Sequence, residues 1–326
     1  MRALRISCVE SFWLRSPCRH YTQIPRRPCY SAAVSRVRTI SFIGAGALGS
    51  GLAKLLYAQG YVIAEIVTRN TPAAKRRAAR LAREIGARAT TLPDAELGCD
   101  VLWLAVPDEA IEIVAEALAE RAKVPAIILH ASGALSSQAL RALAERGLHT
   151  GSAHPMMTFV AGEPPSLQGA WFAMEGSAVA VQAARAMARK LGAKGFTIQA
   201  EKKTLYHAFG AMISPMLATE LEAAERLGVR AGIRRQDVRR IMQPIVERTV
   251  TNVLRNGAGK SFSGPLARGD VSTVAAHLKA LEGSSESEVY RVLMGYAAEM
   301  LPVKRGGEMK KLLEKKKLSG GRRGRT

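Results

Sequence analysis

The feature that most constrains this chain is a six-residue turn, Gly44-Ala45-Gly46-Ala47-Leu48-Gly49. It follows a short β-branched run, Thr39–Ile43, that reads as a strand. It opens a segment, Ala47–Gln59, that reads as a helix. A lone G-x-G-x-x-G is a weak signal, but placed between a strand and a helix it is a strong one. Each glycine has its own stereochemical reason. Gly44 permits the tight turn, Gly46 lacks the Cβ that would block a pyrophosphate, and Gly49 lets the helix pack close to the strand. The free N–H groups and positive dipole end of the helix are then aimed at phosphates. The run from Gly44 through Ala45, Gly46, Ala47 and Leu48 to Gly49 therefore reads as a dinucleotide-binding turn.

The pattern continues as a strand at Val62–Thr68, a helix at Pro72–Ile85 and a short strand at Ala87–Thr91. An almost wholly apolar strand, Val101–Val106, comes next, then a helix at Glu109–Arg121 and a buried strand at Ala126–His130. Strands alternating with helices of this length imply βαβ units on a parallel sheet. The alternation weakens through a helix at Ser136–Arg146 and a segment Thr150–Pro155 leading into a Pro- and Gly-rich loop. It ends with Ala170–Glu175, Val179–Leu191 and Gly195–Gln199 as strand, helix and strand. After Glu201 only helices are predicted, over Thr204–Leu227, Arg234–Asn256, Val271–Leu281 and Glu286–Met300. The expected fold class is an α/β Rossmann domain with a mostly parallel sheet, residues 38–200, followed by an all-α C-terminal domain, residues 201–302.

A length of 326 residues suits two domains. No apolar run reaches the ~18 residues of a membrane span. Cys8, Cys18, Cys29 and Cys99 are too few and too scattered for a disulfide framework or a metal site, so no metal is expected and the compartment reads as reducing and cytoplasmic. The net charge of +21 invites a nucleic-acid reading, but its distribution argues against a specific one. Residues 1–38 carry +7 and residues 303–326 carry +8, which leaves +6 for the body. Blocks of like charge are usually solvated and disordered. Residues 1–37 show no hydrophobic period, and they read as a disordered or non-native extension, either a transit peptide or the product of a start assigned too early. Residues 303–326 read as a basic disordered tail.

The end of the second strand discriminates between cofactors. An NAD enzyme places an acid there to hold the ribose 2′-hydroxyl. This chain has Thr68-Arg69, a hydroxyl beside a guanidinium that can bind a 2′-phosphate, and Glu65 lies inside the strand. NADP(H) is therefore expected. Val106-Pro107-Asp108 closes the apolar strand and should face the cofactor, with Asp108 also a candidate N-cap. Ser132, in His130-Ala131-Ser132-Gly133, and His154, in His154-Pro155-Met156-Met157, stand at two further strand ends and are candidates for substrate binding. Each has an ordinary turn or core role as the alternative. Lys203 and His207 are spaced i, i+4 on one helix face that continues with Gly210, Ala211 and Ser214. Lys203 is the candidate proton donor, and His207 orients it or acts in its place. Arg268, in Gly264-Pro265-Leu266-Ala267-Arg268-Gly269-Asp270, either clamps a substrate carboxylate or pairs with Asp270.

In this order the motifs GAGALG (44–49), VPD (106–108), HASG (130–133), HPMMTF (154–159), KTLYHA (203–208) and GPLARGD (264–270) resemble a family of bacterial proteins. Its members join a Rossmann-like domain to a helical domain of unknown function, the DUF2520 type. More distantly the chain is similar to pyrroline-5-carboxylate reductase and the β-hydroxyacid dehydrogenases. The resemblance implies NADP(H), an active site at the domain junction and a homodimer interlocked through the helical domain. One departure stands out: the family tends to carry Ser-Asn where this chain has Ser214-Pro215, and a proline there bends the helix and lacks the amide. The expected function is an NADP(H)-dependent oxidoreductase acting on a small carbonyl, imine or hydroxy-acid substrate. The alternative is a dinucleotide-binding regulator or scaffold without turnover. No specific nucleic acid and no membrane are expected as partners.

Overall fold

The computed structural model of the chain describes residues 37–314. The expectations for residues 1–36 and 315–326 lie outside the described residues. The described residues divide into two compact units, one of residues 37–132 together with 136–197, the other of residues 133–135 together with 198–314.

The first unit is an eight-stranded sheet in the order β3-β2-β1-β4-β5-β6-β7-β8. The strands are β1 (Thr39–Ile43), β2 (Val62–Thr68), β3 (Arg88–Thr91), β4 (Val101–Leu104), β5 (Ile127–His130), β6 (His149–Pro155), β7 (Trp171–Gly176) and β8 (Lys194–Thr197). All neighbours run parallel except β6 and β7, which are antiparallel. Helices α1 (Ala47–Ala58) and α2 (Pro72–Ile85) carry the chain outward from β1 to β3. The chain then returns to the other side of β1 as β4, leads into α3 (Asp108–Ala119), and later adds α4 (Ala178–Lys190) between β7 and β8. The reversal of strand order between β1 and β4 is the switch point at which a parallel α/β sheet opens a ligand crevice. Strands buried on both faces should be apolar throughout. Accordingly Val101, Leu102, Trp103 and Leu104 of β4 are all buried, and Trp103 stacks on Phe42 of β1 with ring centroids 6.3 Å apart.

Two edges of the sheet are tied down by carboxylates. Asp100 Oδ2 accepts from the N–H groups of Arg38 and Thr39 at 2.8 and 2.9 Å, which holds the start of β1 against the start of β4. Glu65, buried within β2, accepts from the N–H of Leu97 at 2.8 Å and of Glu96 at 3.2 Å. Its carboxylate is thus engaged in holding the loop before β4.

The second unit is helical: α5 (Lys203–Ala211), α6 (Leu217–Arg230), α7 (Arg235–Asn256), α8 (Val271–Ala280), α9 (Ser285–Met300) and α10 (Gly306–Glu314). One core cluster of this unit is built by Leu266, Val274, Leu278, Ala297, Met309 and Leu313. Glu286, buried in the first turn of α9, accepts from Arg226 Nε at 2.7 Å and lies 3.5 Å from Arg230, which fixes the end of α6 to the start of α9.

Four expectations need correction. The helix expected over Ser136–Arg146 is a 3-10 turn, Ser137–Leu140, followed by one helical turn, Arg141–Ala144. The continuous helix over Thr204–Leu227 is interrupted by a π turn at Met212–Met216, because Pro215 has no N–H for the ladder. Asp108 does not cap α3: Pro107 occupies that position, and Asp108 is the first helical residue, where its negative charge is favourable at the positive end of the helix dipole. The basic segment expected as a tail from residue 303 begins with the folded helix α10. Met309, Leu312 and Leu313 form its apolar stripe, and Met309 is fully buried.

Candidate functional site

The glycine turn meets the three stereochemical demands at three separate places. Gly44 has φ of +111°, and a Cβ there would lie 2.2 Å from the carbonyl oxygen of Ala105. Its own N–H donates to the oxygen of Val67 at 2.9 Å, so the turn is clamped between β2 and β4. A Cβ on Gly49 would lie 2.3 Å from the carbonyl oxygen of Gly44, so α1 can sit this close to the turn only with glycine there. Around Gly46 nothing lies within 4 Å of the same construction. Two of the glycines are thus demanded by the protein, and the third faces open space at the N-terminus of α1. That terminus has no side-chain cap and no acid in its first turn, so its positive end is left uncompensated.

The other strand ends surround this turn. Thr68 is the last residue of β2, and Arg69 follows it, exposed. Thr71 caps α2 by accepting from the N–H of Ala74. Val106, Pro107 and Asp108 follow β4, with Pro107 and Asp108 exposed. Ser132 follows β5, and His154 is the penultimate residue of β6. Because β2, β1, β4, β5 and β6 are neighbours and parallel, all these residues lie along one edge of one sheet.

Ser132 is 7% exposed, and its main chain is fully used. Its N–H donates to Nδ1 of His130 at 3.2 Å, and its carbonyl accepts from the Ser152 hydroxyl at 3.2 Å. His130 is completely buried, and its Nε2 lies 3.1 Å from the carbonyl oxygen of Ser136. With Nδ1 accepting and Nε2 donating, the ring is the neutral Nε2–H tautomer that staples the turn after β5. Sequence reasoning placed His130 in a motif but gave it no role. A histidine ending an otherwise apolar strand was the available signal.

Lys203, His207 and Arg268 belong to the second unit. Lys203 opens α5 and is 1% exposed, among the most completely buried large side chains of the chain, whereas His207 on the next turn is exposed. Tyr206 is buried beside them in sequence, and burial pushes its hydroxyl up to about 12. Arg268 ends a single helical turn, Pro265–Arg268, is exposed, and makes no ion pair among the described residues. It does not pair with Asp270. That carboxylate accepts from the hydroxyl of Thr273 at 2.8 Å and from its N–H at 3.2 Å, which caps α8, and these bonds hold its carboxyl below the usual range.

Comparison with known proteins finds matches to two family models. Residues 39–132 match the model described as NADP oxidoreductase, coenzyme F420-dependent, and residues 170–297 match the domain of unknown function DUF2520. No curated protein sequence matches the chain. Among solved structures, a Bacteroides fragilis protein assigned to the NADP oxidoreductases is 21% identical with a TM-score of 0.67, covering 80% of this chain and 97% of that one. An imine reductase from Myxococcus stipitatus in complex with NADP+ is 15% identical with a TM-score of 0.57 over 80% of this chain and 94% of that one. A Plasmodium falciparum pyrroline carboxylate reductase with NADP bound is 14% identical with a TM-score of 0.54 over 85% and 98%. At these identities the structures share a fold with this chain. The chain thus joins a segment that matches the NADP-oxidoreductase model to a segment that matches DUF2520, on a fold shared with these solved structures.

Proposed function

We propose that the protein is a cytoplasmic NADP(H)-dependent oxidoreductase that transfers hydride to or from a small carbonyl, imine or hydroxy-acid substrate. The observation that carries the reading is the open approach to Gly46 at an uncapped helix N-terminus on the switch-point edge. In this reading Gly44 through Gly49 hold the pyrophosphate, and Thr68 and Arg69 hold the 2′-phosphate. Val106, Pro107 and Asp108 border the adenosine half. The engagement of Glu65 by Glu96 and Leu97 supports NADP(H) over NAD, because it removes the one acid of β2 from the ribose. The names of the solved relatives, one an imine reductase and one a pyrroline carboxylate reductase, each holding NADP, support the same cofactor and, among the substrate classes, a C=N compound.

Lys203 is the proposed proton donor, with His207 assisting. Ser132, His154 and Arg268 are the proposed substrate contacts, Arg268 through a carboxylate. Homodimerisation through the helical domain is part of the proposal. Large apolar side chains on its helices, among them Phe209, Ile213, Ile245, Leu254 and Tyr296, are more than half exposed in the single chain.

The test is a fluorescence titration of the full chain with NADPH and NADH. NADPH should bind at least about tenfold more tightly, since a charged hydrogen bond to the 2′-phosphate contributes roughly 1.5–3 kcal/mol. Equal affinities would reject the assignment of Thr68 and Arg69. Binding without turnover across carbonyl, imine and hydroxy-acid panels would favour the regulator.

A further inference from the structure

The helical unit holds a hollow of about 400 Å³ that the functional reading above does not use. Leu227 and Ala231 at the end of α6 and Ala280 and Leu281 at the end of α8 give it apolar walls. Three polar side chains share it: Arg230, His277 and Tyr290, the last from the second turn of α9. Apolar walls with a few placed polar groups, in a volume of roughly 300–1,000 Å³, are the usual make-up of a small-molecule site. None of the lining residues belongs to the glycine turn or to the sheet unit.

The charge beside the hollow is unbalanced. Among the described residues Arg230 pairs with one carboxylate, that of Glu286, at 3.5 Å. The same carboxylate takes the shorter bond from Arg226 Nε, at 2.7 Å. The bond to its own backbone N–H, with the contributions of Arg226 and Ser284, outweighs desolvation and holds the Glu286 carboxyl below its ordinary value. Glu286 therefore stays ionised, and two guanidiniums on one carboxylate leave a surplus of one positive charge. Helix ends do not remove it. The negative end of α6 faces the positive end of α9 across this ion pair, and Lys279 in the last turn of α8 offsets that helix's negative end. Arg230 is half-exposed, and its contact with Glu286 occupies one of its five N–H donors.

His277 and Tyr290 add a second polar group. Nδ1 of His277 lies 3.0 Å from the Tyr290 hydroxyl, and the rings meet edge to face with centroids 5.9 Å apart. Burial raises the Tyr290 pKa, so the phenol keeps its proton. With that proton donated to Nδ1, the imidazole is the Nε2–H tautomer and has a donor left for a ligand.

We propose that this hollow binds a small monocarboxylate with an apolar or aromatic body. The carboxylate sits on Arg230, whose planar fork suits it, and the body lies between Leu227 and Leu281. One surplus charge matches one carboxylate, whereas a phosphate monoester brings close to two. The inference is independent of what the glycine turn binds.

Isothermal titration of the full chain with phenylacetate and with its uncharged isostere phenylacetamide tests the proposal, with and without saturating NADPH. Phenylacetate should bind once per chain, and phenylacetamide at least about tenfold more weakly. Arg230→Gln should weaken phenylacetate at least about tenfold and leave phenylacetamide unchanged. Arg226 still holds Glu286 in that variant, and the melting temperature reports on folding separately. Arg230→Lys, which keeps the charge, should recover part of the affinity. Ala280→Phe fills the hollow without touching the charge and should abolish binding of both probes. NADPH should displace neither. Equal affinity for the acid and the amide would overturn the carboxylate assignment. Unchanged phenylacetate binding in Ala280→Phe, or displacement by NADPH, would place the ligand elsewhere and overturn the site. Absence of phenylacetate binding by wild type would also overturn the proposal. If Ala280→Phe then shifted the chain toward monomer in sedimentation velocity, the hollow would be the seat of a second copy instead.

Discussion

The two units bury their apolar residues in opposite styles. In the sheet unit the central strands are sealed on both faces. Ile40, Phe42, Ile63, Ile66 and Leu129 are at or near zero exposure, and the buried Glu65 and His130 among these strands are hydrogen-bonded. In the helical unit, long stretches of α5, α7 and α9 carry apolar side chains outward: Leu205 at 70%, Ile245 at 68%, Leu254 at 81% and Val292 at 71% exposure. A sheet flanked by helices closes on itself, whereas a helix apolar on more than one side needs further surface to cover. The comparison teaches that the α/β unit is complete as a single chain. The helical unit carries a surplus that its own core cluster does not absorb.

The largest expected effect tests what the helical unit contributes to chemistry. If Lys203 donates the proton, Lys203→Met should lower turnover by ~10²–10⁴. NADPH affinity should stay within error, because the proposed phosphate-binding turn belongs to the other unit. Methionine keeps most of the buried stem, so the melting temperature reports separately on folding. Unchanged turnover would remove Lys203 from the mechanism. Next comes the surplus surface. Ile241 and Ile245 lie one helical turn apart on α7, both exposed. If they meet a second copy, Ile241→Glu/Ile245→Glu should raise the dimer dissociation constant by at least about 100-fold, since burying each such side chain contributes roughly 1.5–3 kcal/mol. Sedimentation velocity would show the shift to monomer. A wild-type chain that is monomeric at micromolar concentration would break the comparison, because the exposed stripes would then need another explanation.

How much of this was legible beforehand differs between the units for the same physical reason. In the sheet unit, periodicity and punctuation agree. Gly44 ends β1, Thr71-Pro72 starts α2 and Gly86 ends it, so β2 and α2 fall where the sequence places them. The Pro- and Gly-rich loop between β6 and β7 marks a break but not a direction, so the antiparallel return of β7 was not legible. In the helical unit apolar residues face outward as well as inward, so the amphipathic pattern does not say which face is the core. Charge also concealed structure there. The lysines around Met309 and Leu313 made α10 read as a tail, although the i, i+4 apolar pair was present. At the site, strand-end positions were readable from motif and topology. The face of α2 that lines the cleft at the glycine turn was not, because Arg77 and Arg80 look in sequence like the solvated side of any amphipathic helix. Nothing local announces that residues 160–162 line the same cleft.

Within the sheet unit the glycine turn offers a sharper, smaller test, since Gly44 and Gly46 should separate stability from binding. Gly44→Ala puts a Cβ against the Ala105 carbonyl at a φ only glycine adopts freely, and should cost about 3 kcal/mol or more. Gly46→Ala meets nothing within 4 Å, so the melting temperature should hold while NADPH affinity falls about tenfold. Denaturant unfolding and cofactor titration on both variants read the two quantities separately. A destabilised Gly46→Ala, or one that binds NADPH normally, would mean that the open space at the turn is not where the pyrophosphate lies.

The smallest effect concerns the edge where β1 begins. Asp100 is partly desolvated, which alone would raise its pKa. The N–H groups of Arg38 and Thr39 and the Thr39 hydroxyl outweigh that and hold the carboxyl below its ordinary value of 3.8. A carboxyl depressed on folding stabilises the native state above its unfolded pKa, and that contribution fades as pH falls through the folded value. Wild type should therefore lose melting temperature as pH drops from about 5 toward 3. Asp100→Asn, whose amide oxygen can still accept from both N–H groups but cannot titrate, should lack this part of the slope. The gap between the two proteins, widest near neutral pH, should narrow toward pH 3. Asp100 is exposed, so solvent screens the effect and a shift of a few degrees at most is expected. Parallel melting curves across the whole range would show that the carboxylate adds nothing to what the neutral amide supplies. The hydrogen bonds accepted at position 100, not its charge, would then hold the start of β1 beside the backbone pairing of Thr39 with Val62 and of Ile40 with Val101.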